Sequence, residues 1–379
     1  MKILDRYLLR QFVWTFLICY VSLTGLYVVF DAFTNLEEFL RCAQKEGDLL
    51  ALMGPHYSYQ GLVFFDSTAG LLTLIAAMFT VTWIQRHNEM TALLSAGVSR
   101  TRVVAPVIGA AVVMSLVAAA NRELVLPRFR EELARRPQDL VGDVAQKLRP
   151  RYDNQTDILM RGKATFRDGK RIQQPDFRLP PALADYGKLL VAKDAFYKPP
   201  QGDRPGGYLF DKLQEPKGLH TQPSLVLDGK PVIITPRDAP DWLRPDQCFV
   251  ASDVSFEQLT ARDAWRRYSS TADLIAGLRN RSLDYGADVR VAIHSRFVQP
   301  FLDVTLLFLG LPLVLRREDR NVFLAIGLAA VVVAVFMLVV IGFQYLGSNI
   351  YSISPALAAW APLMIFVPVA VGMSESIRE

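Results

Sequence analysis

The sequence holds few of the residues that enzymes use for chemistry. Among 379 residues there are three cysteines and four histidines, and His56, His87, His220 and His294 are scattered along the chain. No G-x-x-x-x-G-K-[ST] string occurs. The Gly-Lys pairs at Gly162, Gly169, Gly187 and Gly229 lack both the upstream glycine and the following hydroxyl residue that a phosphate cradle needs. H-E-x-x-H and C-x-x-C are absent too, which removes the common zinc-hydrolase and dithiol patterns. No paired carboxylates or histidine constellation mark a lipid-modifying enzyme. The chain has no evident engine, so any ATP-driven work requires another subunit, and no cofactor or metal is expected on this one.

Charge is missing from long stretches. Gln11 to Phe30, Val103 to Asn121 and the whole run from Asn321 to Ser374 contain no Asp, Glu, Lys or Arg. A bilayer core needs about 20 apolar residues per helix, and the composition, 51% hydrophobic with mean hydropathy +0.21, suits that demand. Six spans are predicted: Gln11–Phe30, Leu62–Gln85, Val103–Asn121, Phe297–Leu315, and two from the uncharged C-terminal run, divided by the polar stretch Gln344–Pro355. The first has no small-residue cleavage site and reads as an uncleaved helix. A polar connection is expected from Thr34 to Pro55.

Net charge is +5 and the pI is about 9.0. The basic residues that bear on topology flank the spans, so they report orientation rather than nucleic acid. Lys2, Arg6 and Arg10 precede span one, Arg86, Arg100 and Arg102 lie between two and three, and Arg316, Arg317 and Arg320 lie between four and five. All fall on one side, which predicts a multi-pass protein of the inner membrane with both termini cytoplasmic.

Between spans three and four the character changes. Fifteen of the 22 prolines lie between Pro127 and Pro245, which argues against long helices there. Short β-like runs alternate with turns: Ala164–Arg167 before Asp168-Gly169, and Leu225–Leu227 before Asp228-Gly229 and Val232–Thr235. Asp-Gly supplies the positive φ of tight hairpins. Leu189–Ala192, Gly207–Phe210 and Phe249–Phe256 are further strand candidates. The fold class is therefore a six-helix membrane protein with an inserted all-β domain, sandwich or jelly-roll-like, on the periplasmic side. The domains are 1–122, 123–290 and 291–379. A short helix, Ala272–Leu278 with Thr271 as N-cap, leads back to the membrane. Cys42 and Cys248 both fall outside, where a disulfide could persist; a bridge between them and two free thiols both remain open, with free thiols favoured.

The loop between spans two and three is the most informative segment. Met90, Leu93, Leu94 and Gly97 recur at helical spacing, giving a short helix with an apolar face, and Gly97-Val98-Ser99 would stop it and start the next. Periodicity leaves two readings open: an interfacial connector, or a coupling helix, about 87–99, that docks on a cytoplasmic ATPase. Asp66 and Asp303 lie inside spans, where an ionisable residue is a functional candidate, although solvated helix ends fit equally well.

The loop string Asn88-Glu89-Met90-x-Ala92-Leu93-x-x-Ala96-Gly97-Val98-Ser99 closely resembles the LptF/LptG family of permease subunits of the lipopolysaccharide exporter. Leu4-x-Arg6-Tyr7-Leu8-x-Arg10, Asn121–Pro127, His294-x-Arg296 with Pro300, Gly310–Leu313 and Ser354–Trp360 with Pro362 are similar to the family in the same order. The resemblance implies a jelly-roll periplasmic domain and pairing with a second LptF/LptG-type permease. Their first and fifth helices would form lateral gates for lipopolysaccharide or a related lipid. A dimeric cytoplasmic ABC ATPase, holding ATP and Mg, would dock on the coupling helix through Glu89, Met90, Leu93, Leu94 and Gly97. A periplasmic bridge protein would receive the lipid by strand addition. Phe30, Asp31, Phe33, Asp66 and Asp303 are the candidate gate or cavity residues. Where the family tends to place basic residues at the end of the first helix, this chain has Asp31, Glu37 and Glu38, with Arg41 and Lys45 further on. The alternative reading is a membrane scaffold or sensor that transports nothing.

Overall fold

The computed structural model of the chain describes residues 3–135, 137, 144–202, 204–227, 229–260, 262–315, 322–349 and 353–378. Lys2, Asp228, the charged turn at 316–320 and part of the polar divider, 350–352, lie outside the described residues. The chain begins with α1 (Ile3–Thr34), α2 (Leu36–Glu46), α3 (Leu49–Arg86), α4 (Glu89–Ser95) and α5 (Arg100–Ala120). A π-turn (Asn121–Val125) and a short 3-10 turn (Leu126–Phe129) lead to α6 (Arg130–Leu133). Nine strands follow among the described residues: β1 (Arg151–Asp153), β2 (Ile158–Met160), β3 (Gly162–Phe166), β4 (Arg171–Arg178), β5 (Leu189–Lys198), β6 (Gly207–Glu215), β7 (Leu225–Leu227), β8 (Lys230–Ile234) and β9 (Cys248–Ala251). The chain closes with α7 (Phe256–Thr260), α8 (Arg262–Tyr268), α9 (Thr271–Arg279), α10 (Ala287–Leu315), α11 (Val322–Asn349) and α12 (Pro355–Arg378).

Two compact units result. One combines Met1–Thr34, Gly54–Phe129 and Gly286–Glu379; the other combines Asn35–Met53 and Arg130–Tyr285. In the first, among the described residues, six helices are long and apolar enough to cross a membrane. They exceed the predicted spans at their ends because amphipathic and charged turns continue the helix beyond the uncharged run. The core is a layer of interlocked aliphatic and aromatic side chains: Leu8, Phe12 and Phe16 from α1, Leu72, Leu74 and Val81 from α3, Val103, Val104 and Val107 from α5, and Val298, Leu302 and Leu306 from α10. Phe336 of α11 and Ala370 of α12 join it. At Gly347 of α11, a Cβ would collide with the Ala358 Cβ of α12, so that crossing depends on the missing side chain.

Several polar side chains inside this unit are paired. Arg122 donates through Nε to both oxygens of Asp66, at 2.9 and 3.2 Å, and the two side chains are 18% and 19% exposed. Arg296 lies 3.5 Å from Glu123. Asp303 accepts from Ser115 Oγ at 3.2 Å and from Gln299 Nε2 at 2.9 Å. The π-turn puts Asn121 Nδ2 at 3.0 Å from the Leu62 carbonyl.

The second unit is the inserted β domain. Its strands form one curled antiparallel sheet, a half-barrel, in the order β1-β2-β4-β5-β6-β9-β8-β7, with β3 also on β4. The two hairpins read from Asp-Gly are present: Gly169 and Gly229 both have positive φ, and β3 pairs with β4 while β7 pairs with β8. The long candidate Phe249–Phe256 is a strand only to Ala251 and turns helical at Phe256. β9 is buried throughout because Trp242 and Leu243 pack on Phe249 and Ala251. Phe177 stacks edge-on against Tyr208 and Phe210, and the Tyr208 hydroxyl donates to the Val254 carbonyl at 3.1 Å.

Two expectations are corrected here, and the open question of the cysteines is decided for the favoured free thiols. The polar connection Thr34–Pro55 is mostly helix: α2 is amphipathic, burying Phe39 and Cys42 and exposing Glu37 and Arg41, and α3 already starts at Leu49. The N-cap of α9 is Ser270, not Thr271, because Ser270 Oγ accepts from the Asp273 N–H while Asp273 accepts from the Ser270 N–H. All three cysteines are free, so no Cys42–Cys248 bridge exists. The Cys42 sulfur instead lies 3.8 Å from the Pro137 carbonyl, and burial pushes the Cys248 thiol up to about 12.

Two measurements test this packing. With Cys19 and Cys42 changed to Ser, the remaining Cys248 should resist maleimide at pH 8 until the protein is denatured; rapid labelling of the native protein would contradict its burial. Arg122→Met should cost about 3–5 kcal/mol by stranding Asp66, whereas the Asp66→Leu/Arg122→Met double variant should recover most of the loss in thermal unfolding. Equal losses in single and double variants would show that the pair is not a unit.

Candidate functional site

The predicted connector between spans two and three is α4, seven residues long. Its end is a Schellman cap, in which the Gly97 N–H donates to the Leu94 carbonyl at 2.9 Å and the Val98 N–H donates to the Leu93 carbonyl at 3.0 Å. Gly97 has φ +81°, a conformation that strains any other side chain. Ser99 then caps α5, its Oγ accepting from the Arg102 N–H at 3.4 Å. Gly97-Val98-Ser99 thus ends one helix and begins the next.

The faces of α4 differ from the sequence-based assignment. Met90 is buried in the helical core, and Leu93, Leu94 and Val98 pack against that same core. The apolar stripe is therefore the inner face. It holds α4 on its own unit and is not available to a docking partner. The exposed ridge comprises Thr91, Ala92, Ser95 and Ala96, with half-buried Glu89 at its edge. Periodicity locates a stripe but is blind to whether its cover is intra- or intermolecular.

Several side chains fix this end of the unit. Tyr7 donates its hydroxyl to Glu89 Oε1 at 3.3 Å. Arg102 Nη2 donates to both oxygens of Asp5 at 2.9 and 3.1 Å. Gln85 Nε2 reaches the Val314 carbonyl at 3.4 Å. The start of α1, the end of α3, the start of α5 and the end of α10 therefore meet around α4. Asp5 was not singled out from sequence, and Tyr7 and Gln85 were read only as a motif residue and a span end, because nothing local marks a partner 80 or more residues away.

The candidate gate residues do not form one cluster. Phe30 and Phe33 are 67% and 76% exposed on α1. Asp31 turns the other way and accepts from the Tyr57 hydroxyl at 3.0 Å, so its carboxylate is tied to α3 instead of standing on an open acidic rim. Asp66 and Asp303 lie together with Gly70, Ser115, Arg122 and Gln299 around a cavity of about 30 Å³, room for one ordered water. They are internal, partnered groups, not solvated helix ends.

A larger apolar hollow of about 250 Å³ lies among α1, α3 and α5, lined by Phe12, Phe16, Tyr20, Phe65, Met114 and Val117. Phe12, Phe16 and Tyr20 stack in a ladder with ring centroids 6.5 Å apart, and Phe65 meets Phe16 and Tyr20 edge-on. Such a wall accepts hydrocarbon and offers little to a polar ligand. Its sequence signal is the aromatic repeat at i, i+4 and i+8. Among the described residues, no group of three or more His, Cys, Asp or Glu could hold a metal ion.

The family model for Lipopolysaccharide export system permease LptF/LptG matches residues 6–171 and 210–375. The matched segments contain the six apolar helices, α4 and most strands; the stretch between them holds most of β4 and all of β5. Among curated proteins no individual relative matches the chain. With the match running through both helical halves, the chain belongs to the LptF/LptG family of lipopolysaccharide export permeases, multi-pass proteins of the inner membrane.

Proposed function

We propose that the chain is the permease half of an ABC-type exporter that takes lipopolysaccharide or a related lipid out of the inner membrane. A separate dimeric ATPase, with its ATP and Mg, drives it from the cytoplasm. Family membership across both helical halves is the observation that carries this reading. Orientation is supported by charge: Arg6, Arg10, Arg86, Arg100 and Arg102 flank the helix ends that meet around α4, so this end and both termini face the cytoplasm.

The ATPase docks on α4 and its flanks, about 87–99. Glu89 supplies the acidic contact at the edge of the exposed ridge Thr91-Ala92-Ser95-Ala96, while Met90, Leu93 and Leu94 anchor the helix from beneath and Gly97 sets its end. A push on α4 then passes directly into α1, through Tyr7, and into α5, through the Ser99 cap. The helices, 1–122 and 291–379, grip the lipid together with a second LptF/LptG-type permease, using the exposed face of α1 around Phe30 and Phe33 and the apolar hollow at Phe12 and Phe16. Asp31, Asp66 and Asp303 act as internal ties that hold those helices. The β domain, 123–290, receives the lipid on the periplasmic side and passes it to a bridge protein.

In membranes, the wild-type chain should retain an ATPase through purification. Glu89→Arg and Ala92→Trp should each release it and stop lipid delivery to the outer membrane. Met90→Ala should instead lower thermal stability by about 2–5 kcal/mol, as a core truncation does. Pull-down with mass spectrometry and an outer-membrane lipid assay check both; full ATPase retention and delivery in the Glu89 and Ala92 variants would sink the docking assignment.

A further inference from the structure

A second hollow has no part in the export scheme above. It lies within the β-domain unit where α6, the turn joining β3 to β4, α7 and α8 meet, and it measures about 360 Å³. That is the scale of a small-molecule pocket and far more than an ordered water needs. Arg130, Arg135, Arg167 and Lys170 bring four cationic groups to its wall, and Phe256 and Trp265 supply an apolar side.

The acidic residues there organise the cations without cancelling them. Arg130 Nη2 lies 2.8 Å from Glu257 Oε2. Lys170 Nζ lies 3.1 Å from Glu131 Oε1 and 3.9 Å from Glu257 Oε1. Burial, with Glu131 beside it, raises the Glu257 pKa from its ordinary value. Four cationic side chains on the wall stand against three carboxylates, Glu131, Glu257 and Asp168, and Asp168 is exposed. Positive charge is in excess. Arg130 Nε is moreover buried without an acceptor.

We infer that this hollow binds the anionic head of an amphiphile, a phosphomonoester or sugar phosphate joined to an apolar group. Cations converging from α6 and from the β3–β4 turn suit an anion with several oxygens better than a single carboxylate. Phe256 and Trp265 cover the apolar neck next to the head. The inference deepens the lipid-export reading by giving the β domain a headgroup contact of its own.

The full chain in phosphatidylcholine nanodiscs can be titrated with octyl phosphate, octyl glucoside and inorganic phosphate. Trp265 fluorescence is the local readout, and Trp265→Phe identifies its share among the five tryptophans. Octyl phosphate should give a saturable change and octyl glucoside none. Lys170→Gln and, independently, the exposed-site variant Arg135→Gln should each weaken binding about tenfold, as loss of a charge-assisted contact does. Thermal melts establish that each variant folds. Equal affinity for inorganic and octyl phosphate would overturn the amphiphile and leave a free-anion site; no saturation, or saturation indifferent to both variants, would overturn the site altogether. Because binding is read on this chain alone, a negative result leaves export untouched, and loss of export through Glu89 leaves this binding untouched.

Discussion

Hydrocarbon offers no partner to a hydrogen-bonding group, and the membrane unit is arranged around that constraint. Its backbone is satisfied within helices. Thr15, Thr80, Thr305 and Ser348 turn their hydroxyls onto carbonyls four residues back. Several charged and amide groups meet across helices: Arg122 with Asp66, Arg296 with Glu123, Asp303 with Ser115, and Asn121 with the Leu62 carbonyl. These ties fix how α3, α5 and α10 face one another more specifically than aliphatic packing could, because leaving any of them open strands a charge or a donor. The π-turn at Asn121 belongs to the same arrangement; it sets the amide that reaches Leu62 next to the arginine that reaches Asp66.

How much of this was legible follows the same physics. Uncharged runs announce helices, since charge in a bilayer is costly, and all six were readable; their true ends were not, because interfacial turns remain helical while looking polar. The amphipathic α2 was read as a connection for that reason. In the β domain, Asp168-Gly169 and Asp228-Gly229 identified hairpins because tight turns demand particular residues. β1 and β2 are three residues each and leave no periodicity to detect. Ser270 and Thr271 are both acceptable caps, and only the reciprocal contact with Asp273 decides between them.

The site was legible in part. Gly97 and Ser99 were readable as a stop and a start because each depends on local backbone geometry. The role of Met90, Leu93 and Leu94 was not, since a hydrophobic stripe says that something covers it without saying what. Asp31 and Asp66 looked anomalous because Tyr57 and Arg122 are distant in sequence. The cationic hollow beside Trp265 is assembled from segments more than thirty residues apart, and no single stretch advertises it.

The seating of α1 is uneven along its length. Leu8, Phe12 and Phe16 are its only buried residues, all in the first half. From Val21 onward the helix is held by a stack of Tyr27 on Phe64 at 5.6 Å and by the Tyr57–Asp31 hydrogen bond, with Val21, Leu26, Val29 and Phe30 facing away from the protein. Mechanically this is a cantilever: clamped beside α4, and attached beyond it by contacts that can break and re-form without opening the core. Bending its free half costs little where bending the clamped half would open the core.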